Sequence, residues 1–144
     1  MSRSGYTDDY DGDCEDGLAL FRGRVANAIK GERGQAFLRE LVAALDAMPV
    51  KELAADVLVA DGQCCAIGAV AIARGYDPAT LPTHDAICDD AEPLANIMGI
   101  SETLTREIMF WNDDDDRYRS AVTDATRWAR MRRWAVENIR RAKA

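Results

Sequence analysis

From Leu18 onward the apolar positions recur at intervals of three and four. Leu18, Phe21, Val25 and Ile29 form a one-sided stripe, and Gly31 follows where such a helix would end. After a short turn at Gly31–Gly34 the period returns in Phe37, Leu38, Leu41, Leu45 and Met48, and Pro49 stops it. So short a connection predicts two antiparallel, neighbouring helices. The period then changes to two. Leu53, Ala55, Val57 and Val59 alternate, Asp61-Gly62 is a favoured type I′ pair, and Gln63–Ala66 predicts a returning strand. That strand feeds a small-residue helix, Ile67–Arg74, closed by Gly75, where Gly68, Ala69, Ala71 and Ala73 leave room for another element to approach.

Tyr76–Pro82 reads as a loop. Thr83 predicts an N-cap for a helix beginning at His84, and Pro93 either kinks that helix or starts the next. Ile100–Asn112, capped by Ser101, places Leu104, Ile108 and Trp111 on one face, with a polar loop at Asn112–Ser120. The last helix starts at the cap Thr123 and carries Trp128, Met131, Trp134 and Ile139. The pattern predicts a mainly α fold: a single compact domain of about five or six helices with one two-stranded β-hairpin, over residues 17–144. Residues 1–16 lack periodicity and read as a flexible acidic N-terminal arm.

Composition agrees with a soluble globular class, at 48% hydrophobic and 30% charged residues in a chain of 144. The longest uncharged apolar run, Cys64–Ala73, is far short of the ~20 residues that cross a bilayer. Met1–Asp16 holds no apolar stretch of the signal-peptide kind, so the expected location is the cytoplasm. Cys14, Cys64, Cys65 and Cys88 are then expected to be free thiols.

Charge changes the picture more. Residues 1–123 carry 23 acidic and 11 basic side chains, whereas residues 124–144 carry 2 acidic and 7 basic ones. The acids bunch at Asp8, Asp9, Asp11 and Asp13 and again at Asp113, Asp114, Asp115 and Asp116, which become the candidate partner-binding residues. The basic C-terminal helix is the alternative, with Arg127, Arg130, Arg133 and Arg140 as candidate nucleic-acid contacts beside Trp128 and Trp134. Against it, arginines near a helix C-terminus complement the dipole and have many acids on the same chain to pair with.

The remaining constellations fail or stay thin. Leu94–Ser101 resembles the turn of a helix-turn-helix, with Ala95, Gly99 and Ile100 in place, but Thr105 stands where the second helix wants an apolar residue. That helix also shows Glu102 and Glu107 with only Arg106 basic, a face that repels phosphate. Asp9, Asp11 and Asp13 have calcium-loop spacing, yet Cys14 and Leu20 occupy the required glycine and glutamate positions. His84 and Cys88 lie at helical i, i+4 spacing, and Cys64 or Cys65 is a conceivable addition, but paired C-x₂₋₄-C zinc ligands are absent. Neither a metal nor another cofactor is assigned. A Cys88–His84 dyad lacks a motif for an orienting third group, and no Walker, Rossmann, H-E-x-x-H or G-x-S-x-G pattern occurs, so no enzyme activity is expected. A small Cys/His metal protein or enzyme stays as a second alternative.

The segments Ser2–Asp9, Arg33–Leu41, Ala44–Pro49, Asp61–Ala69 and Arg127–Trp134 resemble a family of small uncharacterised proteins of phage and prophage genomes. In that pattern the last helix is entered through Thr-Pro-Glu; here Thr123 is followed by Asp124-Ala125, keeping the cap without the proline. The resemblance implies a bacterial cytoplasm and a gene acting on host or competing phage components. Combined with the acidic surface, it predicts a non-enzymatic protein that binds and modulates a host or defence-system protein bearing a basic surface. Nucleic acid and membrane are not expected partners, and a homodimer, acidic arm against basic helix, is left open.

Overall fold

The computed structural model describes residues 15–113 and 122–140. In chain order these form α1 (Glu15–Lys30), α2 (Glu32–Ala47), β1 (Val59–Ala60), β2 (Gln63–Cys64), α3 (Ala66–Ala73), a 3₁₀ turn at Pro78–Thr80, α4 (His84–Asp89), α5 (Glu92–Met98), α6 (Glu102–Asp113) and α7 (Asp124–Asn138). The mainly helical fold with one antiparallel hairpin is therefore as the pattern predicts. The α-helices among the described residues number seven rather than five or six. Pro93 starts a helix instead of kinking one, since its missing N–H costs nothing in a first turn. α1 begins at Glu15, inside the expected arm; the rest of that arm lies outside the described residues.

α2 lies at the centre, packed against α1, α3 and α7. Phe37, Leu38, Leu41 and Leu45 are buried as their spacing demands, each stabilising by about 1.5–3 kcal/mol relative to exposure. The α1–α2 connection is one residue, Gly31, tighter than the turn expected at Gly31–Gly34. Gly34 sits inside α2 because a Cβ there would lie 2.0 Å from the Ala28 carbonyl oxygen. Buried Gln35 ties two helix ends together: its Nε2 donates to Ile29 O at 2.7 Å and to Asn138 O at 3.0 Å, and its Oε1 accepts from Arg140 N.

The hairpin is shorter than the alternation predicts. Val59 pairs with Cys64 and Ala60 with Gln63, while Asp61 (φ 52°) and Gly62 (φ 78°) supply the positive φ values of a type I′ turn. Upstream, Asp56 takes a left-handed φ of 60° and turns the chain, so Leu53–Val57 is no strand. Leu53 N bonds Asp124 O instead, at 3.0 Å. The expected close approach to the small-residue helix does occur: a Cβ on Gly68 would lie 2.0 Å from Leu58 O.

α6 is a core helix, packed against α1, α3, α5 and α7. Leu104 and Ile108 are fully buried, but the line continues at i+4 to Asn112, while Trp111 is 36% exposed and stacks on Trp134. Ser101 Oγ caps the helix through Leu104 N, and Thr123 and Thr126 form a reciprocal cap on α7. Met131, Trp134 and Ala135 form the packed face of α7.

Candidate functional site

The partner-binding acids of the sequence reading separate into three groups. Asp8, Asp9, Asp11 and Asp13, and likewise Asp114, Asp115 and Asp116, lie outside the described residues. Asp113 does not face solvent. It is the last residue of α6, 6% exposed, and its Oδ1 accepts from Asp56 N at 3.0 Å and Asn112 Nδ2 at 2.8 Å. The run Asp113–Asp116 is therefore not a uniform solvated loop, because its first carboxylate organises backbone inside the fold.

Asn112 is the centre of that organisation and is 1% exposed. Its Oδ1 accepts from Ala66 N at 2.9 Å, and its Nδ2 donates to Ala54 O at 3.0 Å as well as to Asp113. One amide side chain thus joins the end of α6 to the start of α3 and to the loop before the hairpin.

Two of the four candidate nucleic-acid arginines, Arg127 and Arg130, are committed within the molecule. Arg127 is buried, its Nη1 donating to Leu53 O at 3.1 Å and to Asp124 Oδ1 at 2.8 Å. Arg130 donates to Trp111 O at 2.8 Å. Arg132 forks onto Asp46, whose carboxyl falls below the ordinary range because of that hydrogen bond. Arg133 and Arg140 are the exposed members of the named set. α6, the second helix of the corner resembling helix-turn-helix, buries Leu104, Thr105, Ile108, Met109 and Asn112, so most of its circumference is covered by other helices.

An acidic stretch that the charge-run reading passed over lies between Arg74 and Arg106. Residues 75–105 hold six acidic side chains and no Lys or Arg. Asp77, Asp85, Asp89, Asp90 and Glu92 are exposed, and oxygens of Asp90, Glu92 and Glu102 lie within 4.8 Å of one another. Asp90 Oδ1 accepts from Glu92 N, and Glu102 accepts from Arg106. The signal was available: thirty-one consecutive residues without a cation are as informative as four adjacent aspartates.

A groove of about 400 Å³ opens between the end of α2, the hairpin and α3, lined by Met48, Pro49, Val50, Leu53, Cys64 and Ile72. Val50 and Ile72 are 57% and 49% exposed there, and Glu52 and Asp124 supply the charge at its wall. Burial pushes the Cys64 thiol up, and Cys65, whose Sγ accepts from Gly68 N at the start of α3, is pushed up to about 12 by burial. Neither is a ready nucleophile or ligand at neutral pH.

No helix among the described residues is long and apolar enough to cross a membrane. No protein family, no curated protein and no solved structure matches this chain.

Proposed function

We propose that this chain is a non-enzymatic binding protein of the phage or prophage kind it resembles, which engages and modulates a bacterial cytoplasmic protein carrying a basic surface. The observation that carries the reading is the cation-free stretch of residues 75–105 with its exposed Asp85, Asp89, Asp90 and Glu92. A one-signed surface raises encounter rates and rejects like-charged partners, while affinity comes chiefly from apolar anchors. The groove at Val50 and Ile72 offers the place for such an anchor, an aliphatic or aromatic side chain of the same partner. The internal engagement of Arg127 and Arg130, two of the four candidate phosphate contacts, supports this reading over a DNA-binding regulator, which would have only Arg133 and Arg140 of that set exposed for phosphate.

The test is affinity capture of the tagged full chain from nuclease-treated host lysate. Wild type is compared with the variant Asp85→Asn/Asp89→Asn/Asp90→Asn/Glu92→Gln and, separately, with Ile72→Glu. The reading expects one host protein in stoichiometric yield with wild type and its loss with both variants. Recovery of DNA from untreated lysate, with nothing recovered after nuclease, would overturn it.

A further inference from the structure

α3 carries apolar or glycine side chains at every position, and a helix with no polar face is expected to be buried all round. Ala66–Ala71 obey this, whereas Ile72 reaches solvent at the edge of the groove. Val50, just past the end of α2, does the same across from it. Between them Ala44 and Ala47 of α2 and Ala69 and Ala73 of α3 supply only methyl groups, so two helices that pack together still leave about 400 Å³ open. That volume lies in the range of about 300–1,000 Å³ that ordinarily receives a ligand.

The charge at the groove has one sign. Glu52 and Asp124 line it, and no Lys or Arg among the described residues does. Arg127 already donates to Asp124 Oδ1 at 2.8 Å. Glu52 is exposed and has no cation partner among the described residues. Lys51, its neighbour in sequence, is engaged elsewhere: its Nζ donates to Leu45 O, Asp46 O and Met48 O and so caps the C-terminus of α2. An open apolar floor therefore adjoins an unmet carboxylate.

We infer that the groove receives a linear segment of the partner protein, with one large apolar side chain entering between Val50 and Ile72 and an adjacent Lys or Arg pairing with Glu52. The occupant is thereby named within the binding-protein reading, on which it rests. The apolar side chain supplies most of the affinity, and the carboxylate selects cationic segments and rejects acidic ones. A second copy of this chain fits less well. An isologous contact sets one patch against itself, so Glu52 and Asp124 would meet their own equivalents, like charge against like.

The immobilised full chain is panned against a displayed library of random linear peptides, and a selected peptide is synthesised and titrated by fluorescence anisotropy. The expected peptides share a large aliphatic or aromatic residue beside Lys or Arg. Binding moves the methyl resonances of Val50 and Ile72. It weakens about tenfold or more in Ile72→Glu and about two- to fivefold in Glu52→Gln, the range of an exposed ion pair. It is unchanged in Glu32→Gln, an exposed carboxylate at the α1–α2 turn. Circular dichroism checks the folding of each variant, and Val50→Glu replaces Ile72→Glu if the latter unfolds. No enrichment, enriched peptides without a cation, or affinities unchanged in both groove variants overturn the inference, whether or not a host protein is captured. A concentration-dependent dimer abolished by Ile72→Glu would give the groove to a second copy and overturn it as well. Empty host capture beside peptides that behave as expected would remove the host reading and leave the groove's occupant as inferred.

Discussion

Replacing Asn112 by leucine changes the side-chain volume little and removes all three of its hydrogen bonds. Ala66 N loses its acceptor at 2.9 Å, Ala54 O loses its donor at 3.0 Å, and Asp113 Oδ1 loses the Asn112 Nδ2 donor. Ala66 is fully buried and Ala54 is 7% exposed, so water reaches neither group without distortion. Each orphaned buried group costs roughly 1–3 kcal/mol. The leucine recovers about 1–2 kcal/mol through apolar burial. The expected net loss is therefore about 2–4 kcal/mol, a large part of the 5–15 kcal/mol typical of a domain. At this chain length that lowers Tm by about 8–15 °C. Urea unfolding followed by circular dichroism measures it, and an unchanged m-value shows that the folded state has kept its extent. Amide exchange at Ala66 should accelerate with it. A loss below about 1 kcal/mol, with Ala66 still protected, would refute the claim that Asn112 joins α6, α3 and the loop before the hairpin.

Three further outcomes follow from the same geometry. Gly68→Ala forces a Cβ to within 2.0 Å of the Leu58 carbonyl oxygen and 3.0 Å of Cys64 Cβ, so it should destabilise by about 1–3 kcal/mol, read by urea midpoint, whereas Gly23→Ala, with open space around it, should not. Mapped alkylation at neutral pH should modify half-buried Cys88 before Cys64 and Cys65, whose thiols burial holds protonated; equal rates would contradict the packing of α3. Glu40 and Asp46 have their carboxyls lowered, chiefly by hydrogen bonds from Arg74 and Arg132. Each therefore adds stability that is complete above the ordinary carboxylate range and is lost as pH falls below about 4.5 toward the folded values. Thermal unfolding between pH 7 and pH 3 should show this acid loss weakened in Glu40→Gln, and an unchanged profile would remove the pair from the account.

The helices were legible because each buries a stripe whose spacing is visible in one dimension: Phe37, Leu38, Leu41 and Leu45 on α2, and Met131 and Trp134 on α7, are buried where their period puts them. The type I′ pair and the caps at Ser101 and Thr123 were legible for the same local reason. What a local pattern cannot show is a polar side chain recruited by distant backbone. Asn112 and Asp113 read as the start of a charged loop, yet partners 46 to 58 residues away draw them inside. Asp56 broke the alternation of Leu53–Val59 through the same contact, since its amide turns toward Asp113 and the strand shortens to two residues. Arg127 behaves alike, drawn in by the Leu53 carbonyl seventy-four positions upstream. The juxtaposition of Asp56 and Asp113 with His84 was hidden for that reason, although the i, i+4 pair of His84 and Cys88 on α4 was plain.

The claim that the acidic stretch selects the partner is tested most directly by association kinetics of the captured host protein. Wild type and the Asp85→Asn/Asp89→Asn/Asp90→Asn/Glu92→Gln variant are compared at low and moderate ionic strength. Asparagine at position 90 keeps a side-chain oxygen for the Glu92 amide, so the start of α5 is preserved. The account predicts a wild-type association rate that falls steeply as salt rises, and a variant that associates at least tenfold more slowly at low salt with a nearly flat salt dependence. Equal rates and equal salt slopes for the two proteins would contradict it.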